Sequence, residues 1–373
     1  MQRYEEILSI LIDASKNPGI QVKEFKARTG KKAVGCFPEY VPAELVYAAG
    51  MFPIGLWGGN VEISRAKEYV PAFCCSVLMA NLELGLKGAY KELDAVIIPS
   101  LCDTLKCIGQ DFKVAIPTIK HIQFAYPQMR KLEAGVTFLE NEYRRVLTAL
   151  EEVSGSKVTD KAIADAIVVF NDNRKALRRF VEAASEHSDI ITPFIRHAII
   201  KSSFFMEKTQ HTALVNELCD ALASLPASKK GKRVLLSGIM VDDEAVLNIL
   251  AENGLSVAVD DLAQETRQFR YDVPVEGGTA MHRLAKWWQI FEGCSLAYDP
   301  DKKRIDMIIE AVEKYEVKGV IICMMKFCDP EEYDYPLIKE ALEAKSIPCL
   351  YMELDQNAEG QAQTRIQAFS EIL

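Results

Sequence analysis

The cysteines are the residues of this sequence whose type and spacing could support chemistry. There are ten of them among 373 residues, and none forms a Cys-x-x-Cys pair. Structural zinc is usually held by tight pairs of that kind, so zinc is disfavoured. Three cysteines, Cys75, Cys102 and Cys328, are widely separated, which suits a centre assembled from several loops. Thiolates are the soft ligands that iron–sulfur clusters need, so the spacing favours a cluster over zinc or unligated redox thiols without deciding between them.

Two of these cysteines follow predicted strands. The buried-looking strand Asp94–Pro99 runs into Cys102, and the strand Gly319–Cys323 runs into Cys328. Open α/β sheets place their ligands beyond the C-terminal ends of parallel strands. A thiol that serves only packing would lie inside a strand, as Cys323 does. Position therefore favours a functional role for Cys102 and Cys328.

Two stretches of the chain, about 200 residues apart, follow one plan. Residues 30–56 and residues 231–261 each read as a strand, an amphipathic helix closed by glycine, and a second strand. This is the pattern of a βαβ unit. Each half then offers a Cys-Ser pair, so Cys294 is the counterpart of Cys75. The pattern predicts two Rossmann-like parallel-sheet domains related by an internal duplication.

Long helical periodicity separates the two halves. Thr159 is a plausible N-cap, and apolar residues follow it on one helical face. These are Ile163, Ile167, Phe170, Leu177 and Phe180. We predict an α/β domain over 1–127 that includes an N-terminal helix, a helical domain over 128–225, and a second α/β domain over 226–373. The candidate cysteines would meet between the two α/β domains.

The composition excludes several classes of function. Lys and Arg number 44 against 53 Asp and Glu, a net charge of −9, and no basic stripe with interleaved aromatic residues occurs. A nucleic-acid partner or an anionic membrane is therefore not expected. The first ten residues read as a helix rather than a signal peptide, and the apolar runs fall far short of the ~20 residues that span a bilayer. We expect a cytoplasmic protein, in which many cysteines indicate metal, cluster or redox chemistry, or buried thiols, rather than disulfides.

Other patterns give weaker indications. The segment 55–59 is glycine-rich but lacks G-x-G-x-x-G, no Walker A motif occurs, and Trp57 reads as an aromatic plug in a tight turn. The histidines have no motif context and are expected to be structural; they are His121, His187, His197, His211 and His282.

Three groups of charged residues have a structural interpretation. Glu44 opens a helix, where a carboxylate suits the N-terminal dipole as well as it suits acid–base work. Asp260-Asp261 with Arg267 reads as a salt-bridged loop at a strand end. The pairs Arg174-Lys175 and Arg178-Arg179 read as the solvated face of the helical region.

Six segments of the chain resemble the 2-hydroxyacyl-CoA dehydratases, the family related to benzoyl-CoA reductase. The resemblance is greatest to the smaller, β subunits of the (R)-2-hydroxyisocaproyl-CoA or phenyllactyl-CoA type. It runs over essentially the whole length, and six segments in order are a specific signal. The segments are Gly35–Leu45, Ala72–Ser76, Ile98–Thr104, Asp260–Arg267, Lys326–Pro330 and Thr364–Phe369.

The resemblance implies a heterodimer in which each subunit holds a [4Fe–4S] cluster by three cysteines and leaves one iron without a protein thiolate. Carried over by motif, the ligands are Cys75, Cys102 and Cys328. Cys74 would be an extra packing thiol, although its adjacency leaves open which of the pair ligates. Cys294 would be a core residue or a neighbour of the ligands, and Cys36 stands where an active-site subunit would contact substrate.

The resemblance also implies an activity. Such enzymes are oxygen-sensitive lyases of amino-acid fermentation that eliminate water from an (R)-2-hydroxyacyl-CoA through a ketyl radical, giving (E)-2-enoyl-CoA. Their electron comes from a separate ATP-dependent iron–sulfur activator, and their substrate site lies on the α subunit. No catalytic side chain is therefore assigned here, and the sequence does not name the acyl chain. Alternatives are a subunit of a benzoyl-CoA-reductase-like enzyme and a non-catalytic electron-relay or assembly subunit.

Overall fold

Two four-stranded parallel sheets organise the protein. A computed structural model describes residues 3–354 and 359–373. The strands of the first sheet are β1 (Ala33–Cys36), β2 (Phe52–Gly55), β3 (Ala95–Ser100) and β4 (Lys120–Ala125). Those of the second sheet are β5 (Lys232–Gly238), β6 (Leu255–Leu262), β7 (Gly319–Met325) and β8 (Cys349–Leu354).

The helices surround the sheets and fill the stretch between them. In the first part of the chain they are α1 (Arg3–Lys16), α2 (Pro18–Thr29), α3 (Ala43–Ala48), α4 (Ser76–Leu86) and α5 (Asp103–Ala115). Between the sheets lie α6 (Glu133–Ser154), α7 (Asp160–Glu186), α8 (Pro193–Ser202) and α9 (Lys208–Ala223). The remainder are α10 (Glu244–Glu252), α11 (Thr266–Phe269), α12 (Ala280–Ile290), α13 (Lys303–Lys314), α14 (Asp329–Ala344) and α15 (Glu359–Ile372). No helix among the described residues has both the length and the apolar character needed to cross a bilayer.

The two sheets have the same topology. Their strand orders are β2-β1-β3-β4 and β6-β5-β7-β8, with every neighbouring pair parallel. The inner strands β1, β3, β5 and β7 are buried along almost their whole length, as expected where helices cover both faces of a sheet. The predicted α/β class with two duplicated parallel-sheet units is confirmed.

The local elements of the two βαβ units form where the sequence signals predicted them. In the second unit, the Asp243 side chain accepts the N–H of Ala245 at 2.8 Å and caps α10. Gly50 and Gly254, which follow α3 and α10, have φ of 73° and 70°. A side chain with a Cβ rarely adopts that conformation, so glycine is the residue that lets the chain turn into the next strand.

The helical stretch forms as its periodicity predicted. The hydroxyl of Thr159 accepts the N–H of Ala162 at 3.2 Å, so Thr159 is the N-cap of α7. The five predicted apolar residues of this helix are all buried. Patterned apolar spacing therefore located the buried face correctly.

The prediction that the pairs Arg174-Lys175 and Arg178-Arg179 form a solvated face is partly wrong. Arg174 does not lie on a solvated face, because its guanidinium is 14% exposed and bonds the carboxylate of Glu44 on α3. Arg178 bonds Asp272 at 2.9 Å and 3.0 Å. The physical reason is that α3 packs on α7, which buries Glu44 and requires a cation opposite it. Lys175 and Arg179 are exposed as predicted.

Helices α1 and α12 each pack on elements that lie far from them in the sequence. α12 contacts α6 and α7, and its residues belong to the same hydrophobic core as the first sheet. α1 packs on α8 and α9 rather than on the first sheet. The boundaries 1–127, 128–225 and 226–373 remain a prediction, and the packing of α12 joins segments on either side of them.

Candidate functional site

A cavity of about 650 Å³ opens at the carboxyl ends of both sheets. Residues that directly follow the inner strands line it: Pro38 and Glu39 after β1, Leu101 and Cys102 after β3, Ile239 after β5, and Phe327 and Cys328 after β7. Most of the remaining wall comes from the starts of α4, α5 and α14 and from residues 294–304. In each sheet the chain reverses its direction of winding between the two inner strands, which is where open α/β sheets bind ligands.

The cavity brings the three predicted cysteines together. Cys75, Cys102 and Cys328 all line it, and each immediately precedes a helix: α4, α5 and α14, respectively. The Sγ of Cys102 accepts the N–H of Leu105 at 3.4 Å. Helix N-termini carry partial positive charge, which favours a thiolate or another anion. Three helices thus direct their positive ends to the cavity.

Burial opposes ionisation of these thiols. It raises the pKa of Cys75 to about 11 and that of Cys102 to about 12, although nearby backbone N–H groups offset part of the effect. Burial likewise holds the pKa of Cys328 well above its ordinary value. The charges of Cys75 and Cys102 influence each other, as do those of Cys75 and Cys328. A cation bound among the three thiols has to displace their protons.

The other cysteines near these positions lie outside the cavity wall, with one exception. Cys74 is buried and does not belong to the lining, Cys107 is exposed on α5, and Cys323 is buried within β7. Cys36, the last residue of β1, lines a separate cavity of about 110 Å³ that also contains Lys208. The geometry therefore separates Cys75 from its neighbour Cys74, which the sequence alone left open.

Cys294, the exception, lines the same cavity and is already hydrogen-bonded. The hydroxyl of Tyr40 donates to its Sγ at 3.1 Å, and Nη1 of Arg267 lies 3.7 Å from the same atom. Its side chain is buried, and burial raises its pKa. Cys294 thus reaches the cavity as part of a polar wall.

Glu39 is a cavity residue that the sequence reasoning did not single out. It is 3% exposed, and its Oε2 has no hydrogen-bond partner. Burial raises its pKa to about 8, while the cations Arg267 and Arg304 act in the opposite direction. Its position after β1 was the available signal, because it is the same sheet edge that drew attention to Cys102.

A buried network of charges supports the second-sheet side of the cavity. Arg267 bonds Asp261 at 2.9 Å and Glu331 at 2.9 Å. Arg304 bonds the same two carboxylates at 2.9 Å and 2.7 Å, and Asp334 at 3.1 Å. The arginines hold the pKa of Asp261 below its ordinary range despite its burial. The predicted pairing of Asp261 with Arg267 is confirmed, but both aspartates lie within β6 rather than in a loop, and Asp260 pairs with Arg196. No sequence signal pointed to Arg304.

Backbone strain is concentrated around the cavity. The described residues include five non-glycine residues with positive φ. Of these, Phe327 (62°) and Lys302 (52°) line the cavity, and Tyr40 (61°) follows Glu39. Such conformations are uncommon for residues with a Cβ and tend to occur at functional sites.

Trp57 and two of the histidines have structural contacts away from this cavity. Trp57 is buried against Phe204, as expected for a plug. His197 and His211 are buried and hydrogen-bonded to neighbouring side chains. Among the described residues, no histidine lines the cavity that contains Cys75, Cys102 and Cys328, called the thiol cavity below.

The thiols of this cavity are ligands of the kind that an iron–sulfur cluster uses. In residues 3–354 and 359–373, no three His, Cys, Asp or Glu side chains are grouped closely enough to hold one metal ion. A four-iron cluster places its ligands around a larger core, so it needs thiols spaced around a cavity. Three thiols at helix N-termini line this cavity beside apolar residues such as Leu78, Leu101 and Met325, so the chemistry of the donors fits a cluster.

Comparison with known proteins places similarity along the whole chain. The family described as 2-hydroxyglutaryl-CoA dehydratase, D-component, matches residues 38–373. The chain is 43% identical over 376 residues to the (R)-phenyllactyl-CoA dehydratase beta subunit of Clostridium sporogenes, covering 100% of both chains. It is also 43% identical over 377 residues to the lactoyl-CoA dehydratase beta subunit of Anaerotignum propionicum, again covering 100% of both. A benzoyl-CoA reductase subunit of Thauera aromatica is 25% identical over 346 residues, which cover 91% of this chain and 89% of that one.

Proposed function

Since this chain belongs to the family of the 2-hydroxyglutaryl-CoA dehydratase D-component, we propose that it is the β subunit of an oxygen-sensitive iron–sulfur (R)-2-hydroxyacyl-CoA dehydratase. Its relatives at 43% identity are dehydratase subunits, so the chain is a member of a hydro-lyase complex. The observation that carries the finer proposal is the meeting of Cys75, Cys102 and Cys328 in one cavity, each at a helix N-terminus. These three residues would be the ligands of a [4Fe–4S] cluster.

The proposed reaction removes water from an (R)-2-hydroxyacyl thioester. The C–O bond at the α-carbon and a C–H bond at the β-carbon break, a C=C bond forms between them, and (E)-2-enoyl-CoA and water are released. The β-proton is not acidic and the carbonyl does not assist hydroxide departure, so side-chain acid–base catalysis is insufficient. One electron added to the thioester gives a ketyl radical that expels hydroxide. The electron returns after the β-proton is lost, so none is consumed.

The residues of this chain bind and position rather than transfer protons to substrate. A cluster held by Cys75, Cys102 and Cys328 would supply the single-electron chemistry. The helix N-termini and the N–H of Leu105 stabilise anionic sulfur, as the 3.4 Å contact to Cys102 illustrates. Apolar side chains at the wall, such as Val77, Leu78 and Leu105, limit the access of water. The substrate site belongs to the α subunit in this proposal.

The surface around the cavity supports a protein partner. Phe73, Tyr298 and Tyr333 are 69%, 49% and 80% exposed, and each belongs to the cavity lining or lies within two residues of it. Exposed aromatic side chains grouped in this way are typical of protein interfaces. The relatives are named as beta subunits, which implies an alpha partner in a heteromeric complex. The proposal adds a homologous α subunit, a separate ATP-dependent iron–sulfur activator and a cytoplasmic location.

Iron content tests the cluster. Anaerobically purified protein should be brown and contain about four iron and four sulfide per chain. Cys75→Ser, Cys102→Ser and Cys328→Ser should each lose most of that iron. Cys107→Ser is the matched control, because Cys107 lies on α5 near Cys102 but is exposed and outside the cavity. A colourless, iron-free wild-type protein would contradict the proposal.

The reaction product tests the activity. The anaerobic complex, supplied with activator, ATP and a panel of 2-hydroxyacyl-CoA thioesters, should form enoyl-CoA. Reduction of benzoyl-CoA to a diene would instead indicate a benzoyl-CoA-reductase-like enzyme. The chain is 25% identical to the benzoyl-CoA reductase subunit of Thauera aromatica. Full activity in the three Cys→Ser variants would indicate a non-catalytic assembly role. Phenyllactyl-CoA and lactoyl-CoA belong in the panel because they are the substrates named for the relatives.

A further inference from the structure

The carboxylate of Glu39 is unsatisfied in the wall of the thiol cavity. The residue is 3% exposed, and Oε2 has no hydrogen-bond partner. A buried polar atom without a partner is costly, and native proteins rarely retain one without a role. Because Glu39 lines the cavity, the missing partner of Oε2 can be supplied by what the cavity holds.

Glu39 lines the same cavity as the three predicted ligands, Cys75, Cys102 and Cys328. Three of the inner strands supply a polar residue shortly after their C-terminal ends. β3 supplies Cys102, β7 supplies Cys328, and β1 supplies Glu39.

The other polar groups of the wall already have partners or face solvent. Cys294 is hydrogen-bonded by Tyr40, and Asp334 is bonded by Arg304. The side chain of Asp103 is 96% exposed, and Asp299 accepts N–H groups from its own loop. Among the described residues of the lining, Glu39 is the carboxylate that combines burial with a free oxygen.

We propose that Glu39 binds, through Oε2, the iron that the three cysteines leave without a thiolate. This inference rests on the proposed function, because it requires the cluster. On binding, the carboxyl group releases its proton to solvent and an Fe–O bond forms, with no change in oxidation state. Carboxylate oxygen is an anionic ligand that proteins use for iron. Binding would satisfy the buried oxygen and hold the cluster against the first sheet.

The test compares Glu39→Gln and Glu39→Ala with the wild-type protein, all enriched in ⁵⁷Fe under anaerobic conditions. Gln has nearly the same shape as Glu, so a role in packing survives that change while the anionic ligand is lost. Glu44→Gln is the matched control, since Glu44 is equally buried five residues away and bonds Arg174 outside the cavity. The readouts are the Mössbauer spectrum and the rate at which a chelator removes iron.

The expected result is a changed Mössbauer signal for one of the four irons in both Glu39 variants, with the wild-type signal kept in Glu44→Gln. The chelator should remove the first iron about 10-fold faster or more from the Glu39 variants than from the wild-type protein. Loss of a group that supports a metal site has effects of this size. An unchanged spectrum in Glu39→Gln and Glu39→Ala overturns the role of Glu39 and leaves the cluster intact. A wild-type protein without iron overturns the proposed function itself, so the two failures are distinguishable.

Discussion

His197 shows how a buried residue away from the cavity makes the protein sensitive to pH. It is 4% exposed, and its ring nitrogens lie 2.9 Å from Glu265 and 2.8 Å from Asp242. Burial alone would lower its pKa, but the two carboxylates raise that pKa from 6.5 to about 9. A base whose folded pKa is raised adds stability that is complete below its unfolded pKa and is lost as pH rises through the folded value.

We therefore predict that the free energy of unfolding falls between about pH 6.5 and pH 9, by on the order of 3 kcal/mol from this residue. His197→Gln should remove most of that pH dependence and lower stability at about pH 6. The measurement is urea unfolding of the metal-free protein across this range. An equal slope in wild type and His197→Gln would refute the assignment.

Residue types near strand ends were predictable from the sequence, but their partners were not. The sheet-edge rule located Cys102 and Cys328 without any contact being known. The rule could not choose between Cys74 and Cys75. These adjacent residues differ in the direction of their side chains at the start of α4, and the sequence does not show that direction. Arg304 gave no signal either, since its role depends on Asp261 and Glu331, which are distant in sequence.

At the scale of elements, Arg304 joins the start of α14 to the second sheet. From α13 it bonds Asp261 of β6 at 2.9 Å, the hydroxyl of Ser237 of β5 at 3.0 Å, and Glu331 in the first turn of α14 at 2.7 Å. The position of Cys328, which precedes α14, therefore depends on a network of buried charges. Removing one partner of such a network leaves the others uncompensated.

We predict that Arg304→Gln lowers the free energy of unfolding of the metal-free protein by about 3–5 kcal/mol. The measurement is chemical denaturation followed by circular dichroism. Arg144→Gln is the control, because Arg144 is 55% exposed and pairs with Glu140 one turn away, where such pairs contribute only about 0.5 kcal/mol. A loss no larger than that of the control would show that the network contributes little to stability.

Gly238 is a second element-scale determinant of the sheet edge. It ends β5 with φ of 152°, and a Cβ at this position would lie 2.2 Å from the carbonyl oxygen of Cys323 on β7. A backbone atom cannot move aside as a flexible side chain can, so the strands would have to separate.

Gly238→Ala is accordingly expected to destabilise the protein by about 2 kcal/mol or more, a large effect for a single methyl group. Thermal unfolding of the metal-free protein measures it. Gly19→Ala, where a Cβ meets nothing within 4 Å, is the matched substitution and should be neutral or slightly stabilising. A similar melting temperature for both variants would contradict the close approach of β5 and β7.

At the scale of the whole molecule, helix α12 ties the two halves of the chain together. Its Trp287 and Trp288 belong to the core of the first sheet, although the helix follows β6 of the second sheet. Arg130, which precedes α6, donates to the carbonyl of Trp288 at 2.9 Å. Periodicity predicted both sheets and the helical stretch. It could not predict that α12 packs into the core of the first sheet, because an apolar helical face does not specify which core it enters.

We predict that trypsin, cutting at the exposed Lys229 or Lys230 between α9 and β5, gives two fragments that remain associated. The nicked protein should elute with the intact chain in gel filtration and separate only in denaturant. Separation of the fragments in native buffer would mean that the segments flanking residues 226–230 behave as independent domains.

The cavity also has a consequence for how the protein is made. Its walls come mainly from residues 38–106 and from residues 239–334, so the ribosome must release nearly the whole chain before the site exists. Cys75 and Cys102 emerge long before Cys328, and the early product offers only part of the ligand set. Under the proposed function, the cofactor is therefore inserted after translation, into a folded apoprotein. Heterologous production should then be limited by cluster supply rather than by the synthesis of the polypeptide.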